Sequence, residues 1–462
     1  MAEVLSHELS TLPSSLATAD GKMRSTGKSS LLSILAENID ILDQIPDSDN
    51  RTCYIIDGHA LIQSLQKPSN CKTFGDYANT FINIVMSFFK GSIFRVDVIF
   101  DRYLGDMSIK SFTREERNEK KRPIRKNITS AEVPLPESWD QYICSDDNKA
   151  DLAAFLSDYM TTIDVEEQFQ LVTSGGFKEE TEVWSSNSCV DGLRSNHEEA
   201  DTRMILHAKH AVDQDIQRII VASADTDVMI LLLHFIAPIA EETWMASRRE
   251  RKMYPLHHIN KYLMPEVVAN LPGYHALTGC DTTSSFLYYA KSRTWETYLN
   301  HPQLLDNVGR DDDNMTGAEQ YVLNLYKSPQ SSNLNMARLD IFNKGKTELE
   351  RLPPTQDAFQ LHLARANYQA NVWYQATTAM MIRSKPEDTV GWSMTEDQKK
   401  LNIVWTRIPA MSKSTFEIVT CGCTKKCGNN RCKCVKNNVV CIPACGCCAQ
   451  NCLNPCNVAM AK

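Results

Sequence analysis

Seven acidic residues stand where they could do chemistry together. Three apolar runs each end in aspartate: "YIID" at Asp57, "VIFD" at Asp101, and "IIVASAD" at Asp225, with Asp227 just beyond. "EEADTRM" adds Glu199 and Asp201, and "LTGCD" adds Asp281. A carboxylate beside a buried run costs free energy unless something pairs with it. Crowded carboxylates also raise one another's pKa unless a cation neutralises them. Hard oxygen donors at this density suit Mg²⁺ or Mn²⁺ and not zinc. Two such ions can clamp both the attacking and the leaving oxygen of a phosphodiester. Singly, each acid has an ordinary reading: Asp201 complements a helix dipole, Asp57 makes an Asx turn before Gly58, and Asp227 caps a helix. As a set they read as a metal site.

A second constellation lies at the other end of the chain. Of 16 cysteines, five are scattered (Cys53, Cys71, Cys144, Cys189, Cys280) and the rest crowd into the stretch from Cys421 onward. Cys421, Cys423, Cys427, Cys432, Cys434, Cys441, Cys445, Cys447 and Cys452 follow the pattern C-x-C-x3-C-x4-C-x-C-x6-C-x3-C-x-C-x4-C, with Cys448 and Cys456 in addition. The stretch has almost no apolar core. Thiolates this dense in a reducing compartment bind zinc, which then supplies the folding free energy. Nine cysteines are too few for three separate four-ligand sites, so shared thiolates are expected; a disulfide knot is the alternative. From residue 418 on, Lys425, Lys426, Arg431, Lys433, Lys436 and Lys462 meet no acid. That asymmetry on an acidic chain points to nucleic acid, with a zinc clasp docked on the body as the structural alternative.

The acids need elements that converge on one edge. "CYIID", "RVDVIFD" and "RIIVASADTD" read as buried strands, with "FGDYANTFINIVMSFFKG" and "EEADTRMILHAKHAV" as helices. Strands alternating with helices predict an α/β fold with a mainly parallel sheet and helices on its faces. In such sheets ligands bind beyond the carboxyl ends of the strands. Residues 1–50 are polar and Ser-rich, with one amphipathic candidate helix in "SSLLSILAENIDIL", and read as a flexible lead-in. Their "GKMRSTGKSS" fails as a phosphate loop, because five residues separate Gly21 from Gly27 and no strand leads in. Residues 51–300 form the α/β domain, 301–417 a mainly helical segment, and 418–462 the cysteine-rich domain. Trp373, Trp392 and Trp405 are expected to be core anchors.

Downstream of Asp101, Lys110, Arg114, Arg117, Lys120, Lys121, Arg122, Arg125 and Lys126 face only Glu115, Glu116 and Glu119. An acid-lined site needs a basic funnel to receive a phosphate backbone; a solvated helix with Glu–Lys pairs is the plain alternative. Lys110, Arg114 and Arg117 are the candidate phosphate contacts. The net charge of −8 gives no global attraction to nucleic acid, so such contacts are local. A hydrophobic content of 42% is that of a globular protein, and no apolar run reaches spanning length. The chain is expected to be soluble and intracellular, and nuclear if it binds DNA.

"YIIDGHALIQSL", "VIFD", "EEADTRM", "SADTDVMIL" and "LTGCD" resemble, in order and approximate spacing, the flap-endonuclease and XPG-type nucleases of the PIN superfamily, over residues 53–290. The resemblance implies a divalent-metal-dependent, structure-selective nuclease working by two metals. Asp57, Asp101, Glu199 and Asp201 would hold the first ion, and Asp225, Asp227 and Asp281 the second. It also implies a basic helix over the site. Asp281 is followed by "TTSSFLYYAKSRTWETYL", without the glycines of that family's helical hairpin, so substrate shape and cleavage polarity do not carry over. The cysteine stretch, residues 421–457, resembles the tesmin-type CXC domain. This implies about three zinc ions on shared thiolates and DNA binding through the residue before the fourth cysteine, here Arg431. The rival reading is a catalytically inactive PIN-like protein that binds nucleic acid and is tethered by the same domain.

Overall fold

β-Branched and aromatic residues dominate the runs that become strands, and burial on both faces explains why these runs are apolar throughout. The computed structural model describes residues 2–103, 108–110, 122–247, 251–310, 315–345, 348–397, 400–412, 421–424, 427–437, 439, 441, 445–447 and 452–454. Seven strands form one sheet: β1 Thr52–Asp57, β2 Ile93–Ile99, β3 Gln170–Ser174, β4 Val183–Ser185, β5 Arg218–Ala222, β6 Glu242–Ser247 and β7 Lys252–Pro255. The order is β4-β3-β2-β1-β5-β6-β7. The inner pairs β1–β2, β2–β3, β1–β5 and β5–β6 run parallel, and β4 and β7 are antiparallel edges. The expected α/β class and mainly parallel sheet are what the chain adopts. A second small sheet pairs β8 Trp392–Met394 with β9 Leu401–Ile403.

Among the described residues, the helices of eight residues or more are α1 Gly58–Leu65, α2 Phe74–Met86, α3 Asp146–Met160, α4 Ala200–Asp213, α5 Thr226–Phe235, α6 Pro265–Leu277, α7 Lys291–Asn300, α8 Met315–Leu325, α9 Leu334–Asn343 and α10 Gln356–Tyr374. Helix α4 lies against β1, β2 and β5; α5 packs on α4 and α6, and α6 on α10. Topology alone selects an edge. The chain leaves β1 toward β2 and β3, then returns to build β5, β6 and β7 on the other side. The crevice at the carboxyl ends of β1 and β5 is therefore the switch point where α/β sheets hold ligands.

The lead-in is not flexible. Leu5, Leu16, Leu31, Leu32 and Leu35 are buried, and the Leu9 amide donates to the Ala410 carbonyl. Leu5 and Leu16 insert singly, within a Ser-rich composition that masks them, whereas Leu31, Leu32 and Leu35 lie at helical spacing on the short helix Ser30–Leu35. One core runs from Leu16 through the α/β residues to Trp405, and Trp373, Trp392 and Trp405 are buried anchors in the fold, as expected. Among the described residues, no helix is long and apolar enough to cross a membrane.

Beneath β2 lies a fully buried chain of polar groups. Arg95 pairs with Asp97 (2.7 Å), Asp97 Oδ2 meets His207 Nδ1 (2.6 Å), and His207 Nε2 meets Ser174 Oγ (2.9 Å). The Ser–His–Asp order is that of a nucleophilic triad, but all three side chains are buried and the arginine ties up the aspartate. It meets no substrate and serves the fold.

Candidate metal centre

Each acid is placed by a strand end or a helix start. Asp57 closes β1 and caps α1, its Oδ1 accepting from the Ala60 amide (3.0 Å). Asp101 follows β2, and its Oδ1 accepts from the Ala200 amide at the start of α4 (2.7 Å). Asp225 caps α5 through the Asp227 amide (3.0 Å). The ordinary capping readings are thus partly true. The amide-rich starts of α1, α4 and α5, with their positive dipole ends, each hold one of these acids. Gly58 must be glycine here, since a Cβ would lie 2.3 Å from the Phe100 ring. Gly279, at φ +105° and against the Ser285 backbone, makes the turn that delivers Asp281.

Oxygen atoms of Asp201, Asp225 and Asp227 all lie within 4.8 Å of one another. Asp57 feels both Asp101 and Asp225, and Asp201 feels Glu199, Asp225 and Asp227. The fold thus brings these acids into one cluster, and two lysines enter it. Lys110 Nζ lies 2.9 Å from Glu199 and 3.4 Å from Asp201. Lys28 Nζ lies 2.9 Å from Asp225, 3.3 Å from Asp227 and 3.0 Å from Asp281. The three-oxygen donor set fits a hard divalent cation by type and spacing.

Charge and burial divide the acids. Burial, then the neighbouring Asp101, pushes Asp57 up to about 7. Burial raises Asp201 well above the usual carboxylate range despite Lys110. Burial works against ionised Asp227 too, but Lys28 and a hydrogen bond from His275 hold it far below that range. His275 is itself lowered to about 4, by burial and then by Lys291, so it is a neutral ring at pH 7. Its Nε2–H donates to Asp227 Oδ1 (2.9 Å) and its Nδ1 accepts from Lys291 Nζ (3.1 Å), which also donates to Thr278 Oγ1 (2.8 Å). This chain fixes the orientation of Asp227, as groups behind a metal ligand do.

The shifts carry a sign. For Asp57 the folded value of about 7 lies above the ordinary 3.8, so the folded chain holds a proton that the unfolded chain releases. Its contribution to stability is full below the unfolded value and is lost as pH rises to about 7. Asp201 acts in the same direction, whereas Asp227 works against them only near and below its unfolded value of 3.8. In EDTA the stability difference between wild type and Asp57→Asn should therefore shift in favour of wild type on going from pH 7.5 to pH 5.5, a difference in which the buried histidines, which lose stability as pH falls, cancel. A difference that stays constant or shifts the other way would contradict the crowding.

Lys28, His275 and Lys291 were not foreseen from the sequence. The one local cue to Lys28 is "GKSS", whose glycine and lysine suggest a phosphate loop and not a partner for carboxylates. Of the expected phosphate contacts, Lys110 sits on the acids, while Arg114 and Arg117 lie outside the described residues, as do Lys120 and Lys121. Arg125 is a structural group, bound to Asn148 (2.8 Å) and Asp151 (2.6 Å).

In the tail, Cys421, Cys427, Cys432, Cys434, Cys441 and Cys445 are buried together, with Cys423, Cys447 and Cys452 packed against them. The spacing allows Cys421-Cys423-Cys427-Cys432, Cys421-Cys441-Cys445-Cys447, Cys421-Cys432-Cys434-Cys441 and Cys427-Cys441-Cys447-Cys452 as ligand sets. Cys421 and Cys441 each recur in three of them, the overlap that shared thiolates require. Cys448 and Cys456 lie outside the described residues. Arg431, Lys433 and Lys436 are exposed around the buried Cys432 and Cys434.

No protein-family model matches the chain, and no curated protein matches it. Among solved structures it is similar to the T5 D15 protein co-crystallised with metal ions, at 15% identity and a TM-score of 0.35. It is also similar to the bacteriophage T5 D15 flap endonuclease in a pseudo-enzyme-product complex with DNA and metal ions (14%, 0.35). A third is the T5 5′-exonuclease with bound divalent metal ions (zinc) (15%, 0.35). Each match covers 71% of this chain and 97% of the other. A TM-score of 0.35 does not establish a shared fold, so function has to be read from the carboxylates themselves.

Proposed function

We propose that the chain is a divalent-metal-dependent nuclease of the PIN-like, flap-endonuclease type, hydrolysing phosphodiester bonds in DNA. The observation that carries this reading is the meeting of Asp201, Asp225 and Asp227 oxygens within 4.8 Å at the switch point of the sheet. Asp57, Asp101, Glu199 and Asp281 complete the surround, and Mg²⁺ or Mn²⁺ is the ion such donors select. When bound, that ion supplies Lewis acidity and a lowered pKa for water at the scissile phosphate. The acids offer a central cation position among Asp201, Asp225 and Asp227, with Lys110 held by Glu199 and Asp201 on one side and Lys28 by Asp225, Asp227 and Asp281 on the other. Lys110 offers its ammonium to the incoming phosphate. His275 and Lys291 hold Asp227 in place from behind.

The cysteine-rich tail, on this reading, folds around zinc and tethers the nuclease to DNA through Arg431, Lys433 and Lys436, which places the protein in the nucleus. Replacement of Arg114 and Arg117 by alanine should weaken DNA binding and flatten its salt dependence. Each lost phosphate contact should lower the slope of log affinity against log salt by about 0.7 to 0.9. An unchanged slope would make that stretch a solvated helix. The proposal as a whole is tested by cation-dependent cleavage of labelled DNA; binding without cleavage under every cation would leave a nucleic-acid-binding protein.

A further inference from the structure

We propose that Lys28 is a resident cation that takes the place of a second metal ion, so that the centre is completed by one divalent cation and one ammonium group. The inference rests on the metal-centre reading above and fixes its stoichiometry. Lys28 Nζ touches three carboxylates at 2.9, 3.3 and 3.0 Å, and these are Asp225, Asp227 and Asp281, the set expected to bind the second ion. A cation held by those oxygens would lie where the ammonium now lies. An ammonium in contact with all three already fills the space that a second ion on Asp225, Asp227 and Asp281 would need, and its charge opposes that ion's entry. The lysine side chain is 22% exposed, enough to reach solvent and a bound phosphate but not to be solvated away from its partners.

Its backbone is fixed on both sides. Before it, the Arg24 carbonyl accepts from the Ser285 amide (2.7 Å) and hydroxyl (3.0 Å), and Arg24 Nε donates to the Ser14 carbonyl (2.6 Å). After it, Leu31, Leu32 and Leu35 of the short helix Ser30–Leu35 insert into the core. The turn that carries Asp281 runs on to Ser285, so the same loop positions both the carboxylate and the lysine's strand of chain. Withdrawing Lys28 would require pulling buried leucines into water, which distinguishes a built-in charge from a removable plug. The central position between Asp201, Asp225 and Asp227 remains the place for a metal, shared by Asp225 and Asp227 with the lysine.

The test is Mn²⁺ binding to the full-length, zinc-replete protein, followed by electron paramagnetic resonance of the unbound ion. Sites are counted relative to the Asp225→Asn, Asp227→Asn double variant, which reports adventitious binding. Wild type and Lys28→Arg should each hold one specific Mn²⁺. Lys28→Met should hold two, the added one binding at least about tenfold more tightly than any second ion on wild type. Lys28→Met should also melt below wild type in EDTA and recover more than wild type does on adding Mn²⁺. If it is unfolded without the ion, refolding on Mn²⁺ addition reads the same. Two specific ions on wild type, or one on Lys28→Met, would overturn the inference and leave the nuclease reading standing. No specific ion on wild type would overturn both.

Discussion

Replacing Asp225 and Asp227 together with asparagine should abolish cleavage while leaving the fold intact. The loss should reach about 10³-fold or more in kcat/KM, the scale on which removal of a preorganised electrostatic contact is felt. Both residues border the central position, where their oxygens and those of Asp201 all lie within 4.8 Å of one another. Their effects on stability should differ. Burial and the Asp227 charge raise Asp225, so Asp225→Asn alone relieves repulsion in the metal-free protein. Asp227 is stabilised in its ionised form by Lys28 and His275, so Asp227→Asn alone should lower the melting temperature in EDTA. The measurement is a pair of assays on each single variant and the double variant: cleavage in Mn²⁺ and thermal melting in EDTA. Wild-type cleavage by the double variant would remove these acids from the site.

The second large effect concerns the tail. Extracting zinc with a chelator should unfold the region from Cys421 onward and abolish its share of DNA affinity, while the α/β body keeps its structure. The buried cysteines there have no apolar core to fall back on, and a structural zinc site contributes folding free energy outright. The intact protein should carry about three zinc ions, the count that shared thiolates permit nine cysteines. Arg431→Ala should weaken binding to A·T-rich duplex without releasing zinc, because Arg431 is exposed while the neighbouring thiols of Cys432 and Cys434 are buried. Reductant alone decides the alternative. If it unfolds the tail while zinc is in excess, disulfides hold the region and the metal assignment falls.

The part of the fold legible in the sequence was the part whose residues repeat. Strands β1, β2 and β5 are apolar runs that stop at an acid, and their carboxyl ends gave away Asp57, Asp101 and Asp225. Strands β3 and β6 were missed. "QLVTS" and "ETWMAS" carry polar residues that the fold buries, Gln170, Thr173, Thr243 and Ser247 among them. Their burial is decided by neighbours far away in the chain, not by a local pattern. The same holds for Lys28. A single lysine in a Ser-rich stretch has no periodicity, and it meets Asp225 across 197 positions, a pairing only the tertiary fold defines. His275 and Lys291 sit among apolar neighbours on α6 and at the start of α7, where either looks like an ordinary core or surface residue until the chain to Asp227 is seen. The seven acids, and Lys110 in the basic stretch beside them, could be read as a set because carboxylates crowd only for a reason; Lys28, alone in a Ser-rich stretch, could not.

Incubation of the full-length protein with end-labelled flap, hairpin and single-stranded DNA in Mg²⁺, Mn²⁺ or EDTA tests the central claim most directly. Cleavage of at least one substrate in Mg²⁺ or Mn²⁺, with none in EDTA and none by the Asp225→Asn, Asp227→Asn variant, is the predicted result. Cleavage that persists in EDTA or in that variant, or DNA binding with no cleavage under either ion, would contradict it.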